Sequence, residues 1–104
     1  MDAAVRAIAE PHRREIIRLV WTTELPAGDI ADRFPEVSRP AISQHLRVLR
    51  DAGLIGERRD GTRRLYRARR ERIHQLRAYL DGFWSDRLGT LKTVAEREAK
   101  RKRS

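Results

Sequence analysis

Between Ser38 and Arg50 the chain sets polar side chains at spacings that share one side of a helix. Their types suit hydrogen bonding to a polyanion that carries base edges. Gln44 offers a paired donor and acceptor that match adenine, and the Arg47 fork matches the two acceptors of guanine. Ser38, Arg39, Ser43 and Arg50 suit phosphate oxygens, whose contacts fix register without reading sequence. Pro40 projects from the same side, and no acidic residue falls between Arg39 and Arg50. A second basic group follows, in which Arg58, Arg59, Arg63 and Arg64 flank Asp60-Gly61 and Arg67, Arg69, Arg70 and Arg72 come close behind. Guanidinium groups carried on a turn tip could straddle a minor groove or its phosphates.

These side chains need a scaffold, and the hydrophobic spacing supplies one. Ala3 to Ala9 reads as a short helix ended by Glu10-Pro11, because the residue before a proline is pushed out of the helical region. Pro11 suits the first turn of a second helix to about Thr22, with Ile16, Ile17, Leu19 and Val20 inward and Arg13, Arg14 and Arg18 in water. A third helix spans Ala27 to Phe34 and is stopped by Pro35. The fourth has Ser38 as N-cap and Pro40 just inside, buries Ile42, Leu46 and Leu49, and runs through Ala52 to Gly53, the residue suited to a left-handed terminus. Leu54 to Ala68 reads as a hairpin turning at Asp60-Gly61. A long helix from about Arg69 toward Glu98 then carries apolar residues at threes and fours, Ile73 and Val94 among them.

The expected fold is therefore mainly α with a small β-hairpin, in the order α-α-α-α-β-β-α, a winged helix-turn-helix. Residues 1–98 are expected to form one DNA-binding and dimerisation domain, and 99–104 a basic disordered tail. With 104 residues and 39% hydrophobic content, a single subunit has little core of its own. Leu76, Leu80, Phe83, Trp84, Leu88 and Leu91 would form a large apolar stripe on a monomer, which marks a self-association surface. Val5 and Ile8 of the first helix are expected to join it in a two-fold interface.

Composition narrows the function classes. The chain has 24 Lys and Arg against 15 Asp and Glu, a formal net charge of +9 that favours a nucleic-acid partner. Its apolar runs fall short of the roughly 20 residues a spanning helix needs, so no membrane partner is expected. Met1 to Glu10 lacks a secretory apolar core, and a cytoplasmic location is expected. There is no cysteine, which excludes disulfides and thiolate metal sites. Without a glycine-rich phosphate loop, a cysteine nucleophile or a Ser/His/Asp set in context, the chain is not expected to be an enzyme.

The ordered motifs resemble the ArsR/SmtB family of bacterial winged-helix repressors. Ala9-Glu10-Pro11-His12-Arg13-Arg14-Glu15-Ile16 is similar to the family's opening, and Ala27-Gly28-Asp29-Ile30-Ala31 to its next helix. Ser38-Arg39-Pro40-Ala41-Ile42-Ser43-Gln44-His45-Leu46, then Leu49 and Ala52-Gly53-Leu54-Ile55, is similar to its reading helix. The resemblance implies a homodimer that binds an inverted repeat in double-stranded DNA and represses nearby genes until a signal releases it.

Two departures separate the chain from the family's metal sensors. Leu25-Pro26-Ala27-Gly28-Asp29 has no cysteine where some members place theirs, and the last helix offers only Glu71 and His74 of the ligand pairs that others use. The resemblance is therefore to the cysteine-free, metal-independent members, with no metal and no cofactor expected. His12 and His45 are read as packing or capping groups. Two other readings stand beside the repressor: a winged helix used as a protein-interaction module, and a metal- or small-molecule-responsive sensor.

Overall fold

The computed structural model describes residues 1–83. Its elements are α1 (Asp2–Ile8), α2 (Pro11–Leu19), β1 (Leu25–Pro26), α3 (Ala27–Asp32), α4 (Arg39–Asp51), β2 (Ile55–Asp60) and β3 (Arg63–Ala68). Residues 70–83 form a further helix, α5. The order is the expected winged helix-turn-helix with one addition: β1 makes the hairpin a three-stranded antiparallel sheet in the order β1-β3-β2. Leu25 pairs with Tyr66 and Pro26 with Leu65. Proline fits there because β1 is an edge strand, where its missing N–H costs no ladder bond.

Both ends of α4 are built as the residues dictate. Ser38 accepts a hydrogen bond from the Ala41 amide at 3.2 Å, satisfying one donor that the first turn leaves free. At the other end Gly53 takes φ +79°. The Gly53 amide donates to the Arg50 carbonyl at 2.9 Å and the Leu54 amide to the Leu49 carbonyl at 3.0 Å, the paired bonds of a Schellman terminus. The chain leaves this terminus directly into β2.

Ile42, Leu46 and Leu49 of α4 are buried beside Ile16 of α2, Val20 just after it, Ile30 of α3, and Leu54 and Ile55. The α1 contribution is Ala4 and Ala7, both buried, while Val5 and Ile8 are half-buried at its edge. Fully burying an Ile or Leu side chain stabilises by about 1.5–3 kcal/mol, so this cluster is what fixes α4 on the domain.

Several expectations shift. α2 ends at Leu19, not near Thr22, and α3 ends at Asp32, short of Phe34. Arg13 does not point into water: its Nε donates to His45 Nδ1 at 3.2 Å and its NH1 to the Ala7 carbonyl at 3.4 Å. The hairpin's two central residues are Gly61 and Thr62, one position later than Asp60-Gly61, because Asp60 pairs with Arg63 in the ladder. Gly61 has φ +62° and Thr62 has no positive φ, so glycine supplies the one left-handed residue the turn needs.

Leu76 requires the largest correction. Expected on a self-association stripe, it is only 3% exposed and packs in its own subunit's core. A turn of helix accounts for this, since Leu76 falls on the side of α5 that meets the core and Leu80 is half-buried one turn on. Phe83 is 49% exposed. Trp84, Leu88 and Leu91, the domain limit at 98 and the basic tail lie outside the described residues.

The start of α5 is tied to the domain at several points. The Ala68 amide donates to the Val20 carbonyl and the Arg69 amide to the Leu54 carbonyl, each at 2.9 Å. Arg70 Nε donates to the Trp21 carbonyl at 2.8 Å and its guanidinium lies 5.6 Å from the Trp21 ring centre. His74 meets the Trp21 ring edge-on at 5.8 Å.

Candidate nucleic-acid interface

Ser38, Arg39, Pro40, Ser43, Gln44, Arg47 and Arg50 are all exposed, and the buried Ile42, Leu46 and Leu49 occupy the opposite side of α4. Ser43, Gln44 and Arg47 make no side-chain hydrogen bond or ion pair within the chain among the described residues. Their polar groups are left to solvent or to a partner.

The sheet carries the second basic group to the same side. Its face toward α4 holds Glu57 and Arg64, and a cleft of about 270 Å³ opens there between helix and strands. Ser43, Arg47 and Arg50 line it from α4, with Arg64 and Tyr66 from β3. Four residues singled out in the sequence thus converge on one cleft.

Carboxylates divide the arginines into two classes. Glu57 binds Arg50 through one oxygen at 2.9 Å and Arg64 through the other at 3.3 Å, tying the last turn of α4 to the wing. This bond to Glu57 raises the Arg50 pKa further above its ordinary value. On the opposite face of the sheet Arg58 grips Glu24 with two bonds, at 2.9 and 3.0 Å. That contact lowers the Glu24 pKa and raises the Arg58 pKa. Arg63 lies 3.7 Å from Asp60 near the tip, and Arg39 reaches Asp32 of α3 at 3.3 Å. Arg47 and Arg59 have no carboxylate partner among the described residues, whereas Arg67 helps Arg58 to lower the Glu24 pKa.

Arg58, expected to flank the tip, pairs with Leu65 in the ladder, two pairs before the turn. The partnerships of Glu24 and Glu57 are not legible in the sequence, since each meets its arginine only after the strands pair. Alternation along β2 was the one signal available, because it sets Glu57 and Arg58 on opposite faces.

A further cluster lies beneath α4. Glu10 caps α2, accepting from the Arg13 amide at 3.1 Å, and its carboxylate lies 2.9 Å from His12 Nδ1 and 3.8 Å from His45 Nε2. Partial burial works to raise the Glu10 pKa, but the His12 contact and the Arg13 amide outweigh it and leave it lowered. Burial likewise lowers the His45 pKa. The packing and capping roles expected for His12 and His45 hold only in part, because both imidazoles also converge on one carboxylate.

A helix-turn-helix domain family matches residues 8–58. The chain is 43% identical over 84 residues to the HTH-type transcriptional regulator Rv2034 of Mycobacterium tuberculosis, an alignment covering 81% of this chain and 78% of that protein. It is 41% identical over 61 residues to the transcriptional repressor SdpR of Bacillus subtilis, covering 59% of this chain and 67% of SdpR. Among solved structures, the ArsR-like transcriptional regulator from Rhodococcus sp. RHA1 superposes with a TM-score of 0.73 at 30% identity, over 91% of this chain and 89% of that one. The homodimeric winged helix-turn-helix DNA-binding domain Mb0332 of Mycobacterium bovis has a TM-score of 0.65 at 27% identity, over 82% of this chain and 78% of that one. The motifs, the fold with its basic helix and wing, and these likenesses agree: the chain belongs to the ArsR/SmtB family of winged helix-turn-helix transcriptional regulators.

Proposed function

We propose that the protein acts in the cytoplasm as a homodimeric repressor, with α4 of each subunit in successive major grooves of an inverted-repeat operator. The observation that carries this reading is the exposed face of α4, where Ser43, Gln44 and Arg47 hold no partner among the described residues and Ser43 and Arg47 border a cleft shared with wing Arg64. Gln44 and Arg47 read base edges, with Pro40 beside them in the groove. Ser38, Arg39, Ser43 and Arg50 fix the helix on phosphates. In the wing, Arg59, Arg63 and Arg64 meet the minor groove or its phosphates; Arg58 joins them only by exchanging Glu24 for phosphate. Repression is supported by the likeness to SdpR and dimerisation by the likeness to Mb0332. Val5, Ile8, Leu80 and Phe83 are placed at the two-fold interface, continued by Trp84, Leu88 and Leu91. No helix among the described residues is long and apolar enough to cross a membrane.

The test is binding of the full chain to the DNA upstream of its own gene across a salt series. A repressor shows a steep salt dependence together with a large preference for one inverted repeat over random DNA. Weak binding, equal for all sequences, overturns the reading in favour of a protein-interaction module.

A further inference from the structure

We propose that Glu10, His12 and His45 form a binding site for a borderline divalent metal ion of the zinc or cobalt type, bridging α2 to the middle of α4. Two imidazoles and a carboxylate are the donor set such ions favour. One ligand atom from each residue lies within 4.8 Å of the others. An ion with bonds of 2.0–2.2 Å to nitrogen and oxygen sets its tetrahedral ligands about 3.4 Å apart. The Glu10 carboxylate lies between the two rings at comparable distances, its Oε1 2.9 Å from His12 Nδ1 and its Oε2 3.8 Å from His45 Nε2. A small rotation of the carboxylate would seat the ion, with water as fourth ligand.

The surroundings favour this choice of atoms. Glu36 Oε1 lies 3.7 Å from His12 Nε2, the ring nitrogen facing away from Glu10. Without the ion, His12 Nδ1–H donates to Glu10; an ion on Nδ1 moves that proton to Nε2, where Glu36 is placed to accept it, as carboxylates do behind metal-bound histidines. Phe34 meets the His12 ring edge-on at 5.6 Å, and the two imidazoles lie 24° from parallel with centres 5.9 Å apart, so packing already holds their orientation. His12 and Glu10 are each about a third exposed at 37% and 31%, which leaves a path for entry.

One group opposes the ion, and it states the structural consequence. Arg13 Nε donates to His45 Nδ1, so in the neutral ring the proton sits on Nε2. A metal on Nε2 moves that proton to Nδ1 and displaces the guanidinium, which keeps its bond to the Ala7 carbonyl. Metal binding therefore exchanges one tie between α2 and α4 for another, next to Gln44. Any effect on operator affinity rests on the DNA-binding reading; ion binding does not.

The experiment is a titration of the full chain with Co²⁺, followed by visible absorption, with Zn²⁺ competition and the variants His12→Gln, Glu36→Gln and His74→Gln. The chain has three histidines, and His74 lies on Trp21, away from the cluster. Wild type and His74→Gln should show the intense absorption of a four-coordinate ion at one ion per subunit. Glu36→Gln should weaken binding about tenfold, and His12→Gln by more. Glu36 is 63% exposed, so its variant reads the site without threatening the fold. Wild type without four-coordinate absorption, or an affinity unchanged in both His12→Gln and Glu36→Gln, overturns the proposal.

Discussion

Arg50 in the last turn of α4 and Glu57 in β2 are joined at 2.9 Å, and the same carboxylate holds Arg64 of β3 at 3.3 Å. A single acid thus ties the wing to α4, and in the proposed function phosphate would share with Glu57 the two arginines that it holds. Glu57→Gln should release both. Random DNA should bind more tightly with a steeper salt dependence, while preference for the operator over random DNA falls. Titrations of both DNAs at two salt concentrations measure this, and an unchanged preference would deny Glu57 a positioning role.

In the proposed function Arg47 reads bases and Arg63 holds the backbone, and two variants separate these roles. Arg47→Ala should cost on the order of 1–3 kcal/mol at the operator and relax the choice of one base pair. Arg63→Ala should weaken operator and random DNA alike and flatten the salt dependence. Competition binding with single-base operator variants distinguishes them, and exchange of the two phenotypes would reverse the assigned roles.

Leu76 and Phe83 test how α5 divides its surface. Leu76→Ala should destabilise the fold by about 2–5 kcal/mol, because it empties a core position. Phe83, half exposed in the subunit, should instead shift the monomer–dimer balance when changed to Ala. Thermal unfolding at fixed protein concentration with sedimentation in parallel reads both. Loss of the dimer in Leu76→Ala without loss of stability would restore Leu76 to the interface.

Glu24 gives the wing an acid-sensitive brace. Contact with Arg58 holds its carboxyl below the ordinary value of 4.5. A group whose pKa is lowered by folding contributes stability that is present above its unfolded pKa and is lost as pH falls through the lower folded value. Amide exchange in β2 and β3, taken relative to the intrinsic rate of an unstructured amide at each pH, should therefore become faster as pH falls below 4.5. Glu24→Gln should show that faster exchange already at neutral pH, and a wing equally protected in both proteins would remove Glu24 from the account.

Gly53→Ala should destabilise by about 1–2 kcal/mol although there is room for the added methyl group, whose nearest neighbour would be Arg72 Nε at 3.7 Å. The cost is the left-handed backbone, and a melting temperature equal to wild type would contradict it.

Features set by neighbours in the chain were legible in the sequence. Ser38, Gly53 and the burial of Ile42, Leu46 and Leu49 depend on residues within a few positions, and the structure has them as read. Features that exist only after distant segments meet were not. Two residues, Leu25 and Pro26, are too few to signal a strand and become one only by pairing with Leu65 and Tyr66. Arg13 reads as a solvated cation on α2 until α4 brings His45 to it. Leu76 shares the spacing of Leu80 and Phe83, and periodicity alone does not say which turns of a long helix meet the subunit's own core. The wing arginines were legible as a group, but their division by Glu24 and Glu57 was not, because pairing register decides which charges face each other.

The two ends of α4 have a consequence for how such a domain can diversify. Ser38 caps one end with its own hydroxyl, and main-chain bonds around Gly53 close the other, so neither terminus depends on Ser43, Gln44 or Arg47. In the proposed function those three positions form an exchangeable cassette: replacing them would change the operator while both caps, the angle of exit and the wing beyond are inherited intact.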